Sequence, residues 1–568
     1  MIMKMRLEKI EEYLKRGIAE GSCVLITGQT SDSFVYNGHL NPLIDGIRQF
    51  SAERNMPIIK YSLDRQIEDL SVPTSKAKLK YQPSIDEGTP ATIVIDKVFE
   101  SLKKSGQPTT VIIDFAEAIL SDTTTPTLDE SRVLQQILNR VLEASFRVQK
   151  HLIIMISRVG AVNSAFAQMP GIIACNIALP EQGEREAAVE IMLKSQKSPL
   201  YLGDMTPSRL GRISGGLDID ALSRLRRTTS QNNPLTRNTV LNRKKEVIRK
   251  QSGGTLTIHD EERDINEDIA GLAQVKLFIK NTQSDKQNIR ALLLGPPGTG
   301  KTLCATAVAK AMDTIPISLA QVKSMWVGES ERQFRQVIEI IERNAPVTLI
   351  LDECDQLSMG SRSGSNMAQD SSSVDTSLRG MLMEWLGDIG STNSGISIIA
   401  MSNNANGVDP AFRDRLTTIP ILEPITAADK ARIAMIQLQR MERQGDEAGI
   451  KQAFAESPKI FTGRQIVKML AKATRCADKD SGVVTYEAMR DAIAGMLRSF
   501  GSAEELMSLR AIKFTDEREY LPWMAARLLG NGSAEAPEYM KSFLSSDQTE
   551  IDHERLDARI TDLVNRGY

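Results

Sequence analysis

Two rhythms of apolar and polar positions alternate along this chain. Short, nearly unbroken aliphatic runs recur at Ser22–Gly28, Pro57–Leu63, Thr109–Phe115, His151–Ser157 and Gly171–Leu179. Each reads as a buried strand. Between them a helical period predicts helices over residues 4–20, Leu43–Glu53, Ile93–Lys103, Leu128–Lys150 and Glu184–Lys194, with a helical turn in Ser214–Arg226. In Leu128–Lys150, Val133, Leu134, Ile137, Leu138, Val141 and Leu142 follow the spacing of one helix face. Leu70–Thr89 is polar, with little period, and reads as a long loop. Apolar strands alternating with helices predict a parallel sheet covered on both faces.

The rhythm restarts further on. Ala291–Leu294, Ile315–Leu319, Val347–Leu351, Ile396–Met401 and Thr418–Leu422 read as strands. Leu303–Met312 and a segment carrying Phe334, Val337, Ile338 and Ile341 read as helices between them. Ala427–Glu442, Phe461–Ala477 and Thr485–Phe500 then form the helices of a smaller lid. Residues 501–568 are mixed and helix-like, with Trp523 and Tyr520 read as packing residues. The expected fold class is therefore α/β, with two modules in sequence.

Between the modules the composition shifts. Arg237–Lys250 is basic, Asp260–Asp268 is acidic, and Ser252-Gly253-Gly254 lies between. The expectation is a charged linker, a solvated helix and loop. Elsewhere composition is ordinary: 568 residues, 41% hydrophobic, 25% charged, formal net charge −2. That lacks the basic excess of a general nucleic-acid binder. The five cysteines are scattered with no C-x-x-C pair, which argues for a reducing compartment and against a disulfide framework or zinc site. No apolar run is long enough to span a membrane, and the acids in Met1–Arg16 are unlike a signal or transit peptide, so a cytoplasmic location is expected.

The chemistry concentrates in the second module. Gly295–Thr302 reads GPPGTGKT, after a strand and before a helix. That is the context in which G-x-x-x-x-G-K-[ST] cradles phosphate. Gly295, Gly298 and Gly300, interleaved with Pro296, Pro297 and Thr299, let the backbone turn its N–H groups inward. The helix that starts near Lys301 adds its positive dipole end. Lys301 supplies charge to the β- and γ-phosphates, and Thr302 a hydroxyl to Mg²⁺. Val347–Leu351 ends in Asp352-Glu353, suited to a Walker B element in which Asp352 orients the Mg²⁺ water shell and Glu353 acts as general base. Ser402-Asn403-Asn404 puts an amide at a strand tip; Asn404 is the alternative, and the downstream spacing favours Asn403. Arg413 and Arg415, just before the last strand, are candidates to reach a γ-phosphate held by an adjacent subunit. Arg464 opens the middle lid helix, where it would present a cation to the phosphates. The first module lacks these tools. After Gly28 comes Gln29-Thr30-Ser31-Asp32-Ser33 without a Lys-[Ser/Thr], and Phe115 follows Asp114 where a second carboxylate is wanted. It reads as structural or regulatory.

Together these elements resemble the AAA family of AAA+ ATPases. Asp268-Ile269-Ala270-Gly271-Leu272, GPPGTGKT with Leu303 after it, Trp326–Glu331, Leu349–Asp355, Asn403 and Asp409-Pro410-Ala411 follow the family's order over about 265–475. More narrowly, the layout resembles a group of cyanobacterial, plastid and other bacterial AAA proteins that pair a degenerate first module with an active second one. Glu246–Lys250 and Leu382–Leu386 add to that likeness. The resemblance implies two P-loop NTPase-like modules: a degenerate one at 1–230, a charged linker at 231–264, an ATPase large subdomain at 265–424, a lid at 425–502 and a helical extension at 503–568. It implies ATP and Mg²⁺ as ligands, with Asp268, Ile269 and Ala270 at the adenine. It implies a ring or spiral of the same chain, usually of six subunits, acting on a protein substrate or adaptor. Trp326-Val327-Gly328 matches the loop that grips a polypeptide in the pore, and Leu357–Ser377 takes the position of the second pore loop. Two departures stand out: only Asp414 separates Arg413 from Arg415, which leaves the finger unassigned, and Arg464 stands where many members have alanine. The expected function is ATP-driven remodelling of a protein partner. An ATP-dependent assembly scaffold is the alternative. A nucleic-acid remodeller, with Arg237–Lys250 as its one foothold, is less favoured.

Overall fold

The computed structural model describes residues 5–62, 66–71, 91–118, 148–158, 164–196, 198–285, 288–319, 330–357, 380–387, 395–475, 482–497, 500–531 and 534–568, with isolated positions at 132–143 and 162. Most of the expected helix Leu128–Lys150, nearly all of the loop Leu70–Thr89 and of Leu357–Ser377, and Trp326–Gly328 lie outside the described residues. The chain divides into two compact units, Met1–Lys244 and Lys245–Tyr568. Both are α/β, each built on a sheet whose pairs are parallel except at one edge.

The first unit has strands β1 (Cys23–Gly28), β2 (Ser33–Tyr36), β3 (His39–Pro42), β4 (Ile58–Ser62), β5 (Gln66–Asp69), β6 (Thr110–Asp114), β7 (Leu152–Ile156) and β8 (Ile172–Ile177). Its main sheet runs β5-β4-β6-β7-β1-β8. Period-two alternation sends Cys23, Leu25, Val111, Ile113, Ile153 and Met155 to one face, against Ile95, Val98, Phe99 and Leu102 of the helix Ala91–Ser105. Val24, Ile26, Ile112, Ile154 and Ile156 go to the other, against the helices Arg6–Glu20 and Leu43–Glu53. Both faces are thus covered, which is why these strands lack polar alternation. The hairpin β2–β3 and the edge strand β5 had no clear sequence signal. Their residues are only partly apolar, and pairing rather than pattern makes them strands.

The second unit adds β9 (Leu256–Ile258), β10 (Arg290–Leu294), β11 (Ile315–Leu319), β12 (Val347–Leu351), β13 (Ile396–Ser402) and β14 (Thr417–Pro420). Read from its antiparallel edge, this sheet runs β9-β11-β12-β13-β10-β14; its five parallel strands repeat the order of the first sheet, while its edge strand β9 comes before them in the chain and β5 comes after β4. Helices Ala273–Asp285 and Lys301–Ala311 pack on one face through Val275, Phe278, Cys304 and Val308. The lid is a separate core of four helices, Ala427–Arg440, Glu447–Ala455, Gly463–Ala473 and Tyr486–Ala494. The second of these was not foreseen. The helices Ser502–Lys513, Pro522–Leu528 and His553–Asn565 close on Leu422 through Leu506, Leu509, Ile512, Trp523 and Leu563. Trp523 is buried, its indole N–H on the Gln548 carbonyl at 3.0 Å, and Tyr520 sits edge-on to Phe278; both pack, as read from the sequence.

The basic stretch Arg237–Lys250 lies in one helix, Arg237–Ser252. It is not a uniformly solvated face: Lys244 is fully buried and Lys245 nearly so, beside Val240, Leu241 and Ile248. Burial pushes the Lys244 amine well below its usual range. Arg249 does reach the acidic block, ion-paired with Asp260 at 2.6 Å.

Candidate nucleotide site

The site lies at the carboxyl ends of β10, β12 and β13, where an open parallel sheet leaves its crevice. β10 ends at Leu294 and the chain turns over Gly295–Gly300 into the helix Lys301–Ala311. Gly295 and Gly298 are required sterically. A Cβ at Gly295 would meet the Ile421 carbonyl oxygen at 2.0 Å, and one at Gly298, whose φ is +81°, would meet Arg464 Cβ at 2.8 Å. Thr299 Oγ1 donates to the Pro296 carbonyl at 3.0 Å and fixes the turn.

Lys301 is nine-tenths buried. Its ammonium donates to the carbonyls of Gly295 and Pro296, both at 2.8 Å, and to Asn403 Oδ1 at 2.6 Å. Burial lowers its pKa to about 8, against the attraction of Asp352. Asn403, and not Asn404, is therefore the amide at the Lys301 ammonium. The Asn404 amide instead turns in against Gly407. A small relay fixes this choice: Ser402 Oγ donates to Asp355 Oδ1 at 2.7 Å and accepts from the Asn404 N–H at 2.9 Å.

Asp352 and Glu353 follow β12, both exposed to the cleft. The Glu353 N–H donates to Asp352 Oδ1 at 2.9 Å, and Glu353 sits at φ +50°, a left-handed conformation uncommon for a non-glycine residue. Strain of this kind clusters at functional sites. From the lid, the Arg464 N–H donates to the Gly298 carbonyl at 3.1 Å, so the helix Gly463–Ala473 begins on the glycine-rich turn. Thr462 and Gln465 cap that helix reciprocally.

The cleft holds about 510 Å³ and is lined by Asp268, Ile269, Ala270, Pro297–Leu303, Asp352, Glu353, Asn403, Arg464 and a lid wall of Ile433, Ile436, Gln437 and Val467. Its size is that of a small-molecule site. Asp268 is tied to the lid by Arg440, Oδ1 to Nη2 at 2.9 Å. Arg440, the lid wall and the relay Asp355–Ser402 were missed from the sequence. They sit on ordinary periodic helices and loops, and no spacing sets them apart. The donor set fits Mg²⁺-nucleotide. A buried lysine and an arginine converge on one end of the cleft, with the Thr302 hydroxyl and the Asp352 carboxylate beside them, and an apolar slot forms the other end. Arg413 and Arg415 are not brought into this cleft. The Arg413 guanidinium lies 4.2 Å over the Phe514 ring, and Arg415, exposed, donates to the Ala411 carbonyl at 2.5 Å.

The sheet registers allow the first unit to be laid residue by residue on the second. Gly28 takes the place of Gly295, since a Cβ on either would strike the carbonyl of the neighbouring last strand, Ile177 or Ile421. Ile26 pairs with Ile156 and Leu294 with Ser402. Asp114 then matches Asp352, Phe115 matches Glu353 and Arg158 matches Asn403. Phe115 keeps the left-handed kink, at φ +57°, and its N–H also donates to the preceding aspartate, at 3.1 Å. The two strand ends share the backbone kink, and the first has a phenylalanine at the position of Glu353. Where the glycine-rich turn would be, the chain makes the hairpin β2–β3. Arg158 ion-pairs with Asp114 at 2.7 Å and donates to the Thr30 carbonyl at 2.8 Å, and Lys60 stands 3.4 Å from the same aspartate.

Residues 291–423 match the family described as "ATPase family associated with various cellular activities (AAA)". The chain is 28% identical over 272 residues to the ATP-dependent zinc metalloprotease FtsH of Synechococcus sp. (strain JA-2-3B'a(2-13)), which covers 43% of this chain and 40% of that protein. It is 34% identical over 124 residues to the cell division cycle protein 48 homolog of Archaeoglobus fulgidus, 22% of this chain and 16% of that one. It is 33% identical over 168 residues to the katanin p60 ATPase-containing subunit A1 of Arabidopsis thaliana, 26% of this chain and 32% of that one. The chain spans less than half the length of these curated relatives. Among the described residues no helix is long and apolar enough to cross a membrane. The glycine-rich turn, the acidic strand end and Asn403, gathered at the carboxyl ends of β10, β12 and β13, all fall within the segment 291–423 that matches the AAA ATPase family.

Proposed function

We propose that this chain binds and hydrolyses Mg²⁺-ATP in its second unit, and that it does so in a homo-oligomer, a hexamer, that remodels a protein partner. The observation that carries the reading is the meeting of Lys301 and Asn403 at 2.6 Å in a cleft that also presents Glu353 and Arg464. Lys301 and Arg464 hold the β- and γ-phosphates. Thr302 and Asp352 would hold Mg²⁺, which neutralises charge on the phosphate oxygens. Asn403 orients the γ-phosphate and the attacking water. Glu353 takes the proton from that water as its oxygen bonds to the γ-phosphorus and the bond to the β–γ bridging oxygen breaks. Asp268–Ala270 and the lid wall take the adenine. An arginine from the turn Arg413–Arg415 completes the site of the neighbouring subunit.

The first unit is a degenerate copy that carries no nucleotide. The narrower kinship with cyanobacterial and plastid-type proteins rests on this pairing of modules. A cytoplasmic location rests on the cysteines: Cys23, Cys175, Cys304 and Cys354 are buried thiols. The test is Glu353→Gln. It should bind ATP with wild-type affinity and turn it over at least about tenfold more slowly, from loss of the base. Unchanged turnover removes the assignment, and a mass that stays monomeric at saturating ATP removes the oligomer. Pull-down with the same variant as a trap should retain a protein partner in an ATP-dependent way.

A further inference from the structure

The C-terminal extension touches the arginine turn at two points, one on either side of Arg415. The turn begins with the short helix Pro410–Arg413, capped by Asp409 Oδ1, which accepts from the Ala411 and Phe412 N–H groups at 2.8 and 3.2 Å. Phe412 is buried and pins it. The chain then passes Asp414 and Arg415 and enters β14, the edge strand of the sheet. The helix Ser502–Lys513 lies beneath. Phe514, which caps its C-terminus, supports the Arg413 guanidinium at 4.2 Å, and Asp516 Oδ2 accepts from the Thr418 N–H at 2.8 Å. That second bond satisfies a backbone donor on an edge strand. The helix itself is held by Leu506, Leu509 and Ile512 in the core shared with Leu422 and Trp523. The support is therefore stiff.

We propose that Phe514 and Asp516 are positioning residues for catalysis between subunits. Phe514 holds Arg413 back as an anchor, Asp516 fixes the start of β14, and Arg415 between them is the arginine presented at the rim to a triphosphate on the neighbouring subunit. This rests on the oligomeric ATPase reading above. A guanidinium acts on a transition state only if its position is held, and a misplacement of about 1 Å costs on the order of a hundredfold. The cation–π contact and the charge-assisted hydrogen bond supply that hold.

The test uses the full chain. Asp516→Ala and Phe514→Leu should each lower kcat at least about tenfold, while ATP affinity stays within about twofold. The oligomer mass should not change. Asp516→Asn keeps an acceptor and Phe514→Tyr keeps a ring, so both should restore kcat. Asp516→Ala chains mixed with excess Lys301→Ala chains should then regain turnover, because the second chain lacks nucleotide but lends an intact arginine turn. A Lys301→Ala, Arg415→Ala donor should not restore it. Wild-type kcat in both Asp516→Ala and Phe514→Leu overturns the proposal. So does a failure of mixing to restore an Asp516→Ala chain that assembles normally, since the defect then lies within its own site. If Asp516→Ala does not fold, Phe514→Leu and its mixing carry the same decision. A wild-type chain that neither assembles nor hydrolyses ATP takes down the underlying reading as well, and is recognised before any variant is made.

Discussion

At Lys301 two demands meet. Phosphate binding needs the charge, and burial in the glycine-rich turn opposes it. With burial lowering its pKa to about 8, the lysine loses its proton below the range of a solvent-exposed lysine. A bound polyphosphate raises that pKa again, so above about pH 8 the complex holds more protons than its parts. ATP affinity should therefore be constant below that pH and fall as the pH rises through it. Calorimetry at pH 8.5 in buffers of different ionisation enthalpy should register proton uptake on binding; a buffer-independent heat would contradict this. Lys301→Ala should abolish binding, at a loss of about a hundredfold or more, read with a fluorescent nucleotide.

Two helices carry most of the rest. The lid helix Gly463–Ala473 starts on the glycine-rich turn, its Arg464 packed over Gly298 with no room for a methyl group. Gly298→Ala should push the lid away and lower ATP affinity at least about tenfold, with the fold retained by circular dichroism. Glu423, two residues past the Ile421 carbonyl that closes on Gly295, is a carboxylate inside the core, 3% exposed. Its carboxyl is pushed up by burial and pulled back by the Tyr539 hydroxyl, which donates at 2.6 Å, and by Ser508. Tyr539→Phe leaves part of that buried group unsatisfied and should cost about 1–3 kcal/mol in denaturant unfolding. A change under a few tenths would show that the extension is not fastened there.

On the scale of the whole chain, the two units repeat one order of parallel strands and one strand-tip kink but not the same residues at the strand tips. In the first, an arginine of the protein itself stands at the position of the sensor-like amide and neutralises Asp114. The expected stoichiometry is thus one nucleotide per chain, measured by equilibrium dialysis of the wild type, and none for Lys301→Ala. A second equivalent that survives Lys301→Ala would place a nucleotide in the first unit.

Much of this was legible in the residues. The buried strands announced themselves as aliphatic runs because both sheet faces are covered, and GPPGTGKT, Asp352-Glu353 and Asn403 announced themselves because phosphate chemistry admits few residue types at those spacings. Each is a local requirement, and local requirements leave local patterns. What the sequence alone could not decide depends on residues far apart in the chain. Downstream spacing favours Asn403 over the chemically alike Asn404, but the Asp355–Ser402 relay and the crowding at Gly407 that hold Asn404 away from Lys301 come from the packing. Lys244 and Lys245 look like surface charge until the helix is packed. Arg413 and Arg415 become distinct only where Phe514, about a hundred residues later, comes to lie against the first of them. Tertiary contacts of that kind are set by packing geometry, and packing leaves no fixed spacing to read.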